Sequence, residues 1–245
     1  KSIITSGSDC IAIRIPKSLE TLSVISKFKG IVGPSANKYN KISPTSTSDV
    51  LEELGRNVDY VLEGGDCEVG IESTIINLSN NIKKPIITRK GIISKYVLEK
   101  KTGYKFFYKK HIQYKQIIAS PGSSVNHYCP NAMLFLMSAN HIKNSIIELV
   151  RLKLKIGVLA FECVGSIHRN VLFLNAESDE VSYAKYLYKN LRKFDKEKAD
   201  IILIEKLPNN EGWFAIKDRL KRSSFKHYNL DKFKILKILI DYSMH

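Results

Sequence analysis

The chain has 245 residues, of which 44% are hydrophobic and 26% are charged, and its formal net charge is +15. This composition is typical of a globular protein with one large or two modest cores. It predicts no membrane contact, because no apolar run approaches the roughly 20 residues that span a bilayer. The basic charge fits a phosphate-rich partner such as ATP or tRNA, but lysines are spread over the whole chain and a solvated surface explains most of them.

The cysteines are scattered along the chain. Cys10, Cys67, Cys129 and Cys163 show no C-x-x-C spacing, and His127 close to Cys129 lacks a second pair of ligands. This pattern predicts reduced thiols, a cytoplasmic location and no metal held by the protein.

The first part of the chain alternates apolar runs with polar loops. Periodicity and turn residues predict its elements. In chain order they are a strand at 10–15, a helix after Pro16, a helix at 49–54, strands at 58–62, 71–78 and 85–89, and a helix at 95–101 that ends at Gly103. Residues 104–130 are polar and aromatic without a clear period, which favours a linker.

The second part alternates strands and helices. Strands are predicted at 133–137, 155–161, 171–174 and 201–205, with helices at 141–153, at 181–195 and around 215–220. Such alternation predicts a mainly parallel sheet covered by helices. The sequence of this part has neither G-x-G-x-x-G nor a Walker loop, so its pattern alone supports no cofactor assignment.

Three short polar runs in the first part carry the functional signal. They are residues 34–37, residues 43–47, and Gly64-Gly65 followed by 70–74. The second run precedes a predicted helix, whose free N–H groups and positive dipole end suit phosphate. Each run alone is better explained by a helix cap or an ordinary turn, because serine and threonine caps are common. Three of them in order, each joined to a predicted strand, favour one nucleotide site.

These runs resemble the signature of the YrdC-type threonylcarbamoyl-AMP synthases, in their two-domain version. The resemblance extends to other motifs in the same order, from about residue 9 to residue 224. They are Arg14-x-Pro16, Ser35-Ala36-Asn37, Ser43-Pro44-Thr45, Gly70-x-Glu72-Ser73-Thr74, Arg89-Lys90-Gly91, Ser120-Pro121-Gly122, His127-Tyr128-Cys129-Pro130, Leu191-Arg192-x-x-Asp195 and Asp218-Arg219-Leu220. Lys90 and Ser123 stand where the family has proline and methionine.

The resemblance implies an α/β fold in two domains. Residues 1–103 would form a YrdC-like twisted open sheet that lacks the N-terminal part of its domain, and 104–130 a linker. Residues 131–245 would form a smaller Rossmann-like, mainly parallel α/β domain. The family's triphosphate-binding Lys-x-Arg motif has no counterpart in the first part, since the sole match, Lys217-Asp218-Arg219, falls in a C-terminal helix. We therefore expect a fragment, with little activity on its own.

The implied reaction joins L-threonine, bicarbonate and ATP into threonylcarbamoyl-adenylate and pyrophosphate, for later transfer to tRNA. Mg²⁺ would accompany ATP, and tRNA or tRNA-modification proteins are possible partners. A carbamate oxygen would attack the α-phosphorus, so no covalent intermediate and no catalytic side chain are predicted, and Glu72 receives no chemical role. By resemblance, the threonine-binding residues are Arg14, Ser35 and Ser73, and the ATP-binding residues are Cys10, Asn37, Thr45, Arg89 and Tyr128.

The residues themselves leave other interpretations open. Arg14 could form a surface ion pair, Thr45 a helix cap, Ser73 a cross-strand hydrogen bond, and Tyr128 a buried anchor of the linker. A capped turn would explain 35–37 equally. The whole chain could also be a non-catalytic nucleotide- or RNA-binding protein, or an inactive remnant.

Overall fold

The computed structural model describes residues 2–5, 7–8, 10–79, 84–109, 127–162 and 168–224. Ser120-Pro121-Gly122, Cys163 and most of the predicted linker lie outside these residues. Within the described part, no helix has the length and apolar character needed to cross a membrane. The strands of the described residues form two sheets, one of three strands and one of four.

The first sheet is small and mixed. β1 pairs with β2 antiparallel, and β2 pairs with β3 in parallel. Serine side chains cap the longer helices of this part at their N-termini, and Gly103, with a φ of 74°, ends the last of them in the left-handed conformation. The elements are α1 (Ser2–Thr5), α2 (Leu19–Phe28), α3 (Thr47–Leu54), β1 (Ile75–Asn77), β2 (Ile86–Arg89), α4 (Lys95–Thr102) and β3 (Phe107–Tyr108).

Two predicted strands of the first part are wrong. Residues 10–15 and 58–62 form no strand in the structure. The exposed fractions of Ile11, Ile13 and Ile15 are 58%, 83% and 86%. An alternating apolar pattern forms a strand when one face of that strand becomes buried against a second layer. No described residues form such a layer against Ile11, Ile13 and Ile15. The strand predicted at 71–78 is confirmed only at Ile75–Asn77. The predicted linker also contains a strand, Phe107–Tyr108, which belongs to the first sheet.

The second sheet is parallel throughout, in the strand order β4-β7-β5-β6. This confirms the parallel α/β arrangement that the sequence predicts. Its elements are β4 (Met133–Met137), α5 (Ala139–Arg151), β5 (Ile156–Ala160), β6 (Val171–Asn175), α6 (Glu180–Lys196), β7 (Ile201–Glu205) and α7 (Phe214–Ser223).

The core lies on both faces of the second sheet. Along β7, Ile202 and Ile204 enter one apolar cluster while Ile201 and Leu203 enter the other, as the period of two requires. The cluster formed with α6 and α7 also contains Ile42 and Ile71. Ile71 belongs to the third polar run and Ile42 directly precedes the second, so the loops of the candidate site are packed directly into the core of the second part.

Candidate functional site

The second polar run is hydrogen-bonded to the first turn of α3. Ser46 rather than Thr45 caps the helix, accepting a hydrogen bond from the Asp49 amide at 3.2 Å. The Asp49 carboxylate accepts two bonds from Thr45, from its amide at 2.8 Å and its hydroxyl at 3.0 Å. Thr45 is buried. Because its hydroxyl proton points at Asp49, it can accept a bond from a ligand but not donate one, which suits a ribose hydroxyl or an amino group.

Glu72 connects the second and third runs to the second part of the chain. Its carboxylate accepts bonds from Ser43 at 2.6 Å, from Tyr188 of α6 at 3.1 and 3.3 Å, and from Arg219 of α7 at 2.8 Å. The Arg219 guanidinium also donates to the backbone carbonyls of Glu72 at 3.0 Å and of Lys90 at 2.7 Å. Both carboxylate oxygens are therefore occupied by donors from three separate segments.

The charge states at this junction follow from burial and pairing. Burial by itself would raise the pKa of Glu72, but the Arg219 cation and the hydrogen bonds from Ser43 and Arg219 outweigh it, so this pKa lies below its ordinary value. Burial works against the Arg219 cation too, yet the Glu72 carboxylate holds the Arg219 pKa above its ordinary value. Burial and the Glu72 charge raise the pKa of Tyr188 far above the usual range. The junction is a charged pair with a neutral phenol.

Ser73 and Arg89 are in direct contact. Arg89 donates from Nε to the Ser73 carbonyl at 2.9 Å and from Nη2 to the Ser73 hydroxyl at 3.3 Å. Gly91 lies so close to the backbone of Thr74 that a Cβ atom there would overlap it. The structure thus brings one residue assigned by resemblance to threonine, Ser73, against one assigned to ATP, Arg89.

Tyr128 lies inside the same junction. Its ring stacks on Tyr188 with centroids 5.8 Å apart and faces the Arg219 guanidinium at 5.4 Å. Arg89 also interacts with its side chain. The φ of Tyr128 is 62°, in the left-handed region that costs a side-chain-bearing residue about 1–2 kcal/mol. Tyr128 thus has the position of a buried anchor of the linker, one of the interpretations that the sequence leaves open. It also lies beside Arg89, which the resemblance assigns to ATP.

Asn37 braces the loop of the first run. Its Nδ2 donates to the carbonyls of Lys38 at 2.8 Å and Lys41 at 3.1 Å. Lys41 in turn forms a parallel bridge with Cys129, whose amide donates to the Asn40 carbonyl at 2.8 Å. The loop is therefore tied to the residue that follows Tyr128.

Arg14, Ser35 and Cys10 lie in the exposed N-terminal segment. The Cys10 amide donates to the Ser8 hydroxyl at 3.1 Å, and the Arg14 guanidinium lies beside Gly33, two residues before Ser35. Arg14 and Ser35 are exposed, and neither forms a hydrogen bond with another described residue. The Arg14 guanidinium thus lies near the loop that carries Ser35, and neither residue hydrogen-bonds Ser73 or Arg89 within the described ranges.

A cavity of about 520 Å³ opens between α3 and α6. Thr45 and Asp49 line it from one side, and Lys189, Arg192 and Lys196 line it from the other. Its charges are of both signs and several are already paired, as Lys196 is with Glu52 at 3.3 Å. No group of three or more His, Cys, Asp or Glu side chains is placed to hold a metal ion within the residues that the structure describes.

Sequence reasoning missed the two arginines that hold these loops. Arg219 was matched only to a motif of the second part, and so was Arg192, which donates to the Ile42 carbonyl at 2.7 Å and to Glu53 at 3.0 Å. A signal was present, because Arg219 falls on the apolar face of α7 between Ile216 and Leu220. A charged side chain at such a position is almost never buried unless it is paired.

The fold and the loops together define an α/β protein whose hydroxyl-rich loops are clamped onto a parallel-sheet domain. A family model described as "Threonylcarbamoyl-AMP synthase, C-terminal domain" matches residues 87–224, and one described as "Telomere recombination" matches residues 1–91. The first match covers more than half of the chain. The chain therefore belongs to the threonylcarbamoyl-AMP synthase family.

Individual relatives agree with this assignment. The chain is 30% identical over 226 residues to the threonylcarbamoyl-AMP synthase of Bacillus subtilis, a match that covers 90% of the chain and 65% of the relative. It is 29% identical over 233 residues to that of Pyrococcus abyssi, covering 91% of the chain and 66% of the relative. The crystal structure of P. abyssi Sua5 complexed with L-threonine matches with a TM-score of 0.78 at 28% identity, over 91% of the chain and 66% of that structure. The chain thus spans slightly less than two thirds of these relatives.

Proposed function

We propose that the protein to which this chain belongs makes L-threonylcarbamoyl-adenylate and pyrophosphate from L-threonine, bicarbonate and ATP. The observation that carries the proposal is the Ser73–Arg89 contact within loops that match the family's motifs. The relatives bear the name of this activity, and the P. abyssi protein was crystallised with L-threonine. The product would pass to tRNA or to tRNA-modification proteins, in the cytoplasm, where free thiols such as Cys10 and Cys67 persist.

The proposed roles divide the site into two neighbouring halves. Ser73, Ser35 and Arg14 would bind threonine, with the Arg14 guanidinium forking onto its carboxylate. Asn37, Thr45, Arg89, Tyr128 and Cys10 would bind ATP. The Ser73–Arg89 contact supports placing the halves side by side, because the two substrates must meet where the new bond forms.

The proposed reaction needs positioning and charge compensation more than a reactive side chain. The threonine amine takes up carbon dioxide from bicarbonate and becomes a carbamate. A carbamate oxygen attacks the α-phosphorus of ATP, the bond from that phosphorus to the bridging oxygen breaks, and pyrophosphate leaves with the electron pair. Both reactants are anionic, so a cation such as Arg89 must offset their repulsion. Glu72 is already held by Ser43, Tyr188 and Arg219, which supports leaving it without a proton-transfer role.

We propose that Mg²⁺ enters with ATP rather than in a site made by the protein. The carboxylates nearest to the loops are occupied, Asp49 by Thr45 and Glu72 by Arg219. Mg²⁺ commonly keeps substrate phosphates and water as most of its ligands, and this donor set fits that mode. When bound, the ion would supply charge compensation on the triphosphate.

Calorimetric titration with threonine and with a non-hydrolysable ATP analogue tests the binding roles. Ser73→Ala is expected to weaken threonine binding, and Arg89→Ala to weaken ATP binding, by about 10-fold each, because hydrogen bonds to charged groups contribute about 1.5–3 kcal/mol. The matched control is Thr102→Ala on α4, whose hydroxyl donates to the Leu98 carbonyl and accepts from the Tyr104 amide, and contacts none of the proposed binding residues. Unchanged affinity in both site variants would reject the assignment.

Pyrophosphate release with ATP, threonine and bicarbonate tests the reaction. The assay compares this chain with the same chain extended by the remaining segment of the B. subtilis relative. We expect the extended chain to turn over faster, since the resemblance places a triphosphate-binding Lys-x-Arg in that segment. If both bind the ligands and neither releases pyrophosphate, a non-catalytic nucleotide-binding protein is the better description.

A further inference from the structure

Two arginines of the parallel-sheet part hold loops of the candidate site, Arg219 at two backbone segments and Arg192 at one. Arg219 of α7 bonds the carbonyls of Glu72 and Lys90, and Arg192 of α6 bonds the Ile42 carbonyl. Backbone carbonyls are the target in each case. A guanidinium holds several acceptors at fixed angles, so contacts of this kind fix where a loop runs.

Arg219 is placed to set the geometry of the Ser73–Arg89 pair. The carbonyls that it holds belong to Glu72, which precedes Ser73, and to Lys90, which follows Arg89. One buried guanidinium therefore fixes the two backbone segments from which the pair projects. Its exposed fraction is 1%, and the Tyr128 ring covers it at 5.4 Å.

Stability alone is a weak reason for such a group. Apolar residues of similar volume often replace a buried ion pair with no loss of stability or with a gain. The Glu72–Arg219 pair instead joins residues 147 positions apart in the sequence, with Tyr188 and Ser43 completing the carboxylate's bonds. A contact of this kind is best explained by what it orients.

We propose that Arg219 is a positioning residue through which the parallel-sheet part of the chain sets the alignment of Ser73 and Arg89 for the reaction. The kinetic consequence of this inference rests on the proposed function. The structural role, in which Arg219 fixes the segments that carry Ser73 and Arg89, rests on the contacts alone. By this inference the second part of the chain contributes to the site, because its helices hold the loops that bind the substrates. Arg192 makes the corresponding contact with the loop that leads to Ser43 and Thr45.

The first test is hydrogen exchange on Arg219→Lys. Lysine keeps a positive charge beside Glu72, but it lacks the planar fork with which Arg219 holds the Glu72 carboxylate, the Glu72 and Lys90 carbonyls and the Asp218 carboxylate. Amides of residues 70–76 and 88–92 are expected to exchange faster, while those of α5 keep their rates. Arg151→Lys is the matched control, because Arg151 is an exposed residue of α5 whose guanidinium bonds Glu148. If Arg219→Lys does not fold, Glu72→Gln takes its place, since it removes the charge from the same junction with little change in shape.

The second test is kinetic, on the extended chain. Arg219→Lys is expected to lower kcat/KM for threonine by about 10- to 100-fold, the cost of misplacing reacting groups by about 1 Å. The fall should lie mainly in kcat, because the alignment matters most in the transition state. Arg151→Lys should match the parent.

The outcomes separate the two proposals. Local loosening of the two segments together with a lower kcat supports the positioning role. Unchanged exchange in both segments, or faster exchange throughout the protein, overturns it, as does full turnover in a variant with loosened segments. A further outcome is that the parent neither binds threonine nor releases pyrophosphate, while Arg219→Lys still loosens only those segments. That outcome rejects the proposed reaction but leaves the structural role of Arg219 in place.

Discussion

The parallel sheet and the N-terminal segment use similar apolar residues with different results. Along β5 and β7 the residues are buried almost without interruption, and their side chains fill two clusters. Ile11, Ile13 and Ile15 alternate as a strand should, yet they are exposed. The difference shows that apolar patterning specifies an element only where a second layer can cover it.

The comparison also explains where the candidate site gets its shape. The loops of the first part lie against the second part through Ile42 and Ile71 in the core and through Arg192 and Arg219 in polar contacts. Most residues proposed to bind substrates lie on loops of the less buried part, although Thr45 and Tyr128 are themselves buried, and the better packed part holds these loops. Flexible binding loops on a rigid support are the common arrangement of functional sites.

The largest expected effect contrasts two phenylalanines. Phe194 of α6 is fully buried and packs against Gly157, whereas Phe28 of α2 has an exposed fraction of 69%. Phe194→Ala should lower the free energy of unfolding by about 3–5 kcal/mol through lost burial and a cavity. Phe28→Ala should change it by about 0.5 kcal/mol or less. Urea denaturation of both variants measures the difference, and equal losses would contradict the contrast between the two regions.

Removing the Arg219 cation comes next. Arg219→Met leaves the Glu72 carboxylate without its charged partner and should cost about 3 kcal/mol, as breaking one side of a buried pair does. Arg151→Met on α5 breaks an exposed pair and should cost about 1 kcal/mol or less. The double variant Glu72→Gln with Arg219→Met should recover part of the loss. Additive losses in that cycle would mean that the two side chains are not coupled.

Gly70 and Gly64 give a smaller contrast within the polar runs. Gly70 has a φ of 80° and lies against the backbone carbonyls of Ala184 and Lys185 in α6, while the position of a Cβ on Gly64 is open. Gly70→Ala should cost about 1–2 kcal/mol for its left-handed backbone alone, with the contact on α6 in addition. Gly64→Ala should be neutral or stabilising by about 0.4–1 kcal/mol. Thermal unfolding of the two variants measures the pair, and a stable Gly70→Ala would show that this loop is not held against α6.

The contribution of Glu72 to the pH dependence of stability should be the smallest effect, because protonation changes the charge on this one carboxylate and leaves its side chain in place. The folded pKa of Glu72 lies below its ordinary value of 4.5. Its contribution to stability is therefore fully present above about pH 4.5 and is lost as the pH falls through the folded pKa. Unfolding measured from pH 7 to pH 3 should show a loss in the parent that Glu72→Gln lacks. Parallel pH profiles would contradict the charged state assigned to this residue.

The sequence by itself determined the local elements of the second part. Its apolar runs and helical stripes gave the strands and helices nearly residue by residue, because fully buried strands and one-sided helices have distinct periods. It also predicted the helix α3, although two residues late and with Thr45 rather than Ser46 as its cap, and it supplied the motifs that place the chain in its family. These features depend on neighbours within a few residues.

Only the tertiary structure decided which loops meet and which charges pair. Nothing near Glu72 in the sequence indicates Arg219, which lies 147 residues away, or Tyr188, which lies 116 residues away. The same is true of Ile13, whose own pattern is that of a strand but whose side chain no described layer covers, so that it lies in a loop. Local propensity sets backbone angles and caps, but a buried charge or an apolar face is settled by what packs against it in three dimensions.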